Sequence, residues 1–170
     1  MDGLHSLSSV GGVLCICLNG LLTHHDGPSS RTIVGGTLFL AGSAVLAYRG
    51  GLLNLRSVRG GKQLWYNTLL LDVDGLSNLV SVGGDLEFDG NPALVHVDGL
   101  ANVSSVIGNF NIGVNSALNN LDGLSSLTTV GGDLSVVYND VLARVDGLNR
   151  LMSVGGDLSI CFNDLLTHLD

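Results

Sequence analysis

Apolar residues fall along this chain in a pattern that fits neither a helix nor a long strand. In residues 146–169, counted with Asp146 as position 1, they stand at positions 3, 6, 9, 13, 15, 21 and 24, mixing threefold and twofold spacing. An amphipathic helix keeps a period near 3.6 and a half-buried strand a period of 2, so the mixture requires a chain that changes direction several times within one unit. The twofold part, Leu158-Ser159-Ile160 or Leu134-Ser135-Val136, predicts a short strand with two side chains turned inward. Gly-Gly just upstream, as at Gly131-Gly132, predicts a corner made by backbone freedom, and Asp-Gly predicts a second corner.

The pattern repeats. Asp-Gly begins at Asp2, Asp26, Asp74, Asp98, Asp122 and Asp146, always 24 residues or a multiple apart, and Gly50-Gly51 fills the missing register. Seven units follow without a linker: 2–25, 26–49, 50–73, 74–97, 98–121, 122–145 and 146–169. Their common frame is D-G-L-x-x-L-x-S-V-G-G-D-L-x-I-x-x-N-x-x-L-x-x-L. One unit cannot enclose its own apolar side, so the units must stack. The expected fold is a single repeat solenoid over 2–169, a right-handed β-helix or leucine-rich-repeat-like coil. Its seven turns would share one continuous parallel sheet, with little or no helix. Position 18 carries Asn19, Asn67, Asn91, Asn115, Asn139 and Asn163, with Ser43 in the second unit. An amide both donates and accepts, so this column predicts a structural ladder that satisfies the bend after each strand.

The L-x-I-x-x-N core, seen in Leu86-Glu87-Phe88-Asp89-Gly90-Asn91-Pro92-Ala93-Leu94, resembles leucine-rich repeats. The fuller D-G-L-x-x-L-x-S-V-G-G-D-L frame is similar to the receptor L-domain type found in cell-surface proteins. That resemblance covers essentially the whole chain and implies an extracellular or cell-surface location. The opening residues Met1-Asp2-Gly3-Leu4-His5 lack the basic start and apolar run of a secretory signal.

Composition narrows the function. Of 170 residues 45% are apolar but only 5% aromatic, and 25 are glycine, so the core should consist of thin aliphatic layers. A net charge of -8 with only seven Lys and Arg argues against nucleic-acid and anionic-membrane partners. No apolar run is long enough for a transmembrane helix. Cys15, Cys17 and Cys161 are sparse and odd in number; Cys17 and Cys161 share position 16 six layers apart, and Cys15 and Cys17 are same-side neighbours on one strand. Free thiols are expected.

No nucleophile elbow, phosphate loop or zinc-protease signature occurs, so neither catalysis nor a cofactor is expected. Asp85, Asp133 and Asp157 at position 12, with Asn109 between them, could line up for calcium, but each is expected to bond the amides of its own turn. His24, His96 and His168 share position 23 three units apart, too far to hold one metal ion. Function then falls to the outward positions 14, 16 and 17 of the strand, where Phe39, Trp65, Tyr66, Tyr138 and Phe162 form an apolar surface fit for a protein or glycan partner. Trp65 and Tyr66 are the expected anchors. The competing reading has position 17 turned partly inward to cover the core edge. A structural reading also stands: a scaffold assembling end to end, or a piece of a longer array, because neither terminal unit carries a polar cap. Two units depart from the frame. Pro28, Arg31 and Arg49 replace apolar residues in the second, predicting a layer that bends or opens, and Arg59 precedes Gly60-Gly61 in the third.

Overall fold

The structure is a computed structural model describing residues 7–19, 32–42 and 55–169. The chain winds as a parallel β-solenoid with almost no helix. Strands β1 (Ser9–Val10), β3 (Thr32–Val34), β5 (Leu55–Val58), β7 (Ser81–Val82), β9 (Ser105–Val106), β11 (Thr129–Val130) and β13 (Ser153–Val154) form one parallel sheet in that order. Strands β2 (Leu14–Cys17), β4 (Leu38–Ala41), β6 (Lys62–Trp65), β8 (Leu86–Asp89), β10 (Phe110–Gly113), β12 (Leu134–Val137) and β14 (Leu158–Cys161) form another. Where one sheet was expected there are two. The Ser/Thr-Val pair before each glycine corner is too short to alternate visibly, yet stacking in register gives it neighbours on both sides. Pairing is residue for residue, Leu86↔Phe110↔Leu134 for example, so equal positions of the repeat lie directly above one another.

The return path carries the third side. After Asn at position 18 the chain bends, buries positions 21 and 24, and passes through a single 3-10 turn of sequence Asp-Gly-Leu, at Asp74–Leu76, Asp98–Leu100, Asp122–Leu124 and Asp146–Leu148. All seven apolar positions point inward: in the turn 98–121 Leu100, Val103, Val106, Phe110, Ile112, Leu118 and Leu121 are fully buried or nearly so. Each such side chain contributes about 1.5–3 kcal/mol by leaving water, and stacking makes one continuous core from layers that are individually thin.

The glycines serve a purpose other than the expected flexibility. Among the described residues positive φ occurs in glycine only at Gly42 and Gly90, not in the corners. A Cβ on Gly99 or Gly123 would instead run into the carbonyl oxygen of Val73 or Val97 in the turn below. The second glycine of the Gly-Gly pair stands in all seven units, whereas Arg59 and Ile107 replace the first in two of them. At Gly108, Gly132 and Gly156 a Cβ would strike the position 12 side chain of the preceding turn. These residues are small because the coils approach closely.

The irregular units show their strain locally. The pairing of β3 with β5 slips between Thr32 and Ile33, where Arg56 of the third unit is the extra, bulged residue; Pro28, Arg31 and Arg49 lie outside the described residues. In the third unit position 13 is Lys62, which the pairing sets between Leu38 and Leu86. It is fully buried, and among the described residues its Nζ has no hydrogen-bond partner.

Candidate functional site

Two side-chain ladders fix the second sheet before any of it faces solvent. Inside, the backbone N–H of Asn67 donates to Oδ1 of Asn91 at 3.1 Å, and the same bond recurs from Asn91 to Asn115, Asn115 to Asn139 and Asn139 to Asn163. Each Nδ2 also reaches down to a strand carbonyl of the turn before, as from Asn115 to Phe88 at 2.9 Å. Asn19 is exposed and donates to the Cys17 carbonyl of its own turn. Outside, at the corner, the ladder runs the other way. The amides of Asn109, Asp133 and Asp157 donate at 2.8 Å to Oδ1 of Asp85, Asn109 and Asp133 respectively. The position 12 carboxylates thus bond the next turn, not their own as expected. Among the described residues no three His, Cys, Asp or Glu side chains come together as metal ligands would. His24 lies outside these residues.

The outer face of the second sheet presents positions 14 and 16. Phe39 and Trp65 meet edge to face, 5.9 Å between centroids. Trp65 donates through Nε1 to Glu87 Oε2 at 2.9 Å, and Gln63 donates to Glu87 Oε1 at 3.3 Å, so one carboxylate holds both neighbours in place. Asp89 lies beside Trp65 in register, where partial burial pushes its carboxyl upward from the usual range. Gly113 leaves the room it needs, since a Cβ there would stand 2.6 Å from Asp89 Oδ1.

Position 17 points outward, so the reading that turned it inward over the core edge does not hold. It lies past the strand end, in left-handed backbone, and its side chains project to solvent without covering the core. Leu18, Tyr66, Val114, Tyr138 and Phe162 have φ of 55–57°, and the two other units place Gly42 and Gly90 there. Tyr66 is 63%, Tyr138 50% and Phe162 60% exposed. Tyr138 and Phe162 stack face to face at 4.6 Å, while the Tyr66 ring lies over Gly90, whose missing Cβ would be 2.6 Å from it. The five aromatic candidates therefore form two groups: Phe39 and Trp65 on the sheet with Tyr66 at its rim, and Tyr138 with Phe162 further along that rim. Positive φ at position 17 left no mark in the sequence beyond glycine in two of the seven units.

Two further features escaped the sequence. Cys15 and Cys17 are joined by a disulfide, where free thiols were expected; the pleat puts both on the outer face with Cα atoms 5.8 Å apart, inside the bridging range. Cys161, on the same face of the last turn, is free and exposed. At that end the core lies open: Leu158 is 55% exposed where Leu134 is fully buried, and Leu148, Leu151 and Ile160 line a shallow apolar hollow. Among the described residues no helix is long and apolar enough to cross a membrane. No protein-family model, curated protein or solved structure matches the chain.

Proposed function

We propose that this protein is a non-catalytic interaction module that presents the outer face and rim of its second sheet to a protein or glycan. One observation carries this reading. Glycine satisfies position 17 in two units, yet five units keep a bulky apolar side chain there in left-handed backbone, which costs about 1–2 kcal/mol per residue. Strain retained at exposed aromatic residues supports a role in contact, because the fold alone would be better served by glycine. Trp65 and Tyr66 are its anchors, with Phe39, Tyr138 and Phe162 extending the surface, and the likeness of the frame to receptor L-domain repeats supports a cell-surface setting.

The test combines Trp65→Ala with Tyr66→Gly, the latter a residue position 17 accommodates without strain. Ligands retained from an extract or a glycan array by the wild type should be lost by this variant and kept by Ser135→Ala on the same face. An unchanged bound set from the aromatic variant would refute the proposal.

A further inference from the structure

A disulfide stabilises a fold by tying together parts of a chain that could otherwise separate, and the tie weakens as the loop it closes shortens. The Cys15–Cys17 bond closes a loop around Ile16 alone. Both of its ends lie on β2, which the backbone already holds to β4: Leu14 donates to the Thr37 carbonyl at 3.0 Å, Leu18 to the Ala41 carbonyl at 2.8 Å, and Leu14 to Cys17 pair residue for residue with Leu38 to Ala41. The bond joins no turn to another. Nor does the coil require it at these positions, since Phe39, Glu87 and Ser135 fill position 14 elsewhere and Ala41, Trp65 and Val137 fill position 16. Oxidised or reduced, the strand keeps the same pairing. What sets this disulfide apart is access: Cys15 is exposed on the outer face, and Cys17 is half-buried with Sγ 3.9 Å from the Phe39 carbonyl oxygen.

We propose that Cys15 and Cys17 form a thiol–disulfide exchange site whose co-reactant is an external thiol, free or carried by a peptide. This goes beyond the contact role of the aromatic face and does not depend on it. Sγ of Cys15, the more exposed sulfur, is the point of attack. The external thiolate bonds to it, the Cys15–Cys17 bond breaks, and Cys17 leaves as a thiolate that takes up the proton the external thiol released. A second external thiol then attacks the external sulfur of this mixed disulfide. Cys15 leaves and is protonated, and the two external thiols depart joined to each other. The cysteine pair gains two electrons and two protons, the external thiols lose them, and nothing else is consumed. Run backwards, the same steps restore the disulfide from an external one. Cys161 takes no part within one molecule, because it shares the repeat position of Cys17 six turns away. At about 4.8 Å per turn that is roughly 29 Å, far beyond the roughly 4.4–6.8 Å that bridged Cα atoms span.

The test uses the full chain carrying Cys161→Ser, which removes the remaining thiol. It is taken without denaturant through glutathione buffers from oxidising to reducing, and its thiols are counted by alkylation and mass. The expected result is a reversible change from no alkylatable thiol to both Cys15 and Cys17. Oxidised and reduced forms should melt within about 2 °C of each other, with the Leu14 and Leu18 amides equally protected from hydrogen exchange. Adding Cys17→Ser and treating with oxidised glutathione should trap a lasting mixed disulfide on Cys15, whereas the intact pair passes through that state to its internal bond. A cysteine-containing peptide is run beside glutathione, and the faster reductant distinguishes a peptide thiol from a free one. A disulfide that withstands millimolar reduced glutathione until the chain is unfolded overturns the proposal. So does a reduced form that melts lower or loses protection at Leu14 and Leu18, because the bond would then be a structural one.

Discussion

Lys62 departs furthest from the pattern of its own chain. It takes a position filled by leucine or phenylalanine in the other units, is fully buried, and finds no partner for its amine among the described residues. Burial holds its pKa well below 10.5 by desolvating the charged form. The folded state therefore binds this proton less readily than the unfolded state. The favourable contribution is complete above the unfolded value of 10.5 and is lost as pH falls below it, down to the depressed folded value. Urea unfolding should show stability rising with pH through the alkaline range, and Lys62→Met should remove that slope and add about 1–3 kcal/mol near neutrality. A flat profile in the wild type would show the amine to be hydrated. Val114 gives the complementary case: a β-branched residue at φ 55°. Val114→Gly should raise stability by about 1 kcal/mol, because glycine accepts left-handed backbone without steric cost.

Among elements, the asparagine ladder and the close coil contacts set what each turn tolerates. Asn115 accepts the Asn91 amide and donates to Phe88 and Asn139, all in buried surroundings. Asn115→Ala strands several polar groups at once and should cost about 3 kcal/mol in denaturant unfolding. Asp133→Ala removes one bond from an exposed corner, to the amide of Asp157, and should cost about 1 kcal/mol. A larger loss at Asp133 than at Asn115 would contradict this ordering. The outer ladder also holds the second Gly-Gly residue to glycine in the later turns, since a Cβ at Gly108, Gly132 or Gly156 would strike the side chain that the ladder places there.

For the whole molecule, stability should be graded along the axis, as in other stacked repeats whose turns touch only their neighbours. The Leu134 amide is held by Asp157, and its layer is buried on both sides. The counterpart Leu158 is half exposed. Hydrogen exchange on dilute, unassociated protein should therefore be slowest in the turns spanning 74–145 and fastest in the last strands.

The sequence by itself determined the coil. Its period, the seven inward positions, the parallel stacking and the asparagine column follow from one rule: equal positions lie above one another, so a pattern repeated every 24 residues becomes a set of columns. The aromatic positions were legible for the same reason. Relations across turns that depend on direction or distance were left to the tertiary structure. A two-residue strand such as Ser105–Val106 exists only because neighbours above and below pair with it. The acceptor of an Asp133 amide is chosen by which side chain lies nearer, and that lies in the turn before. Positive φ at Tyr66 and Tyr138 is imposed where the strand must turn over the ladder, against the preference of those residues. Composition and spacing carry burial, because burial is a property of a position. Strain and hydrogen-bond direction are properties of pairs, and stacking alone makes the pairs.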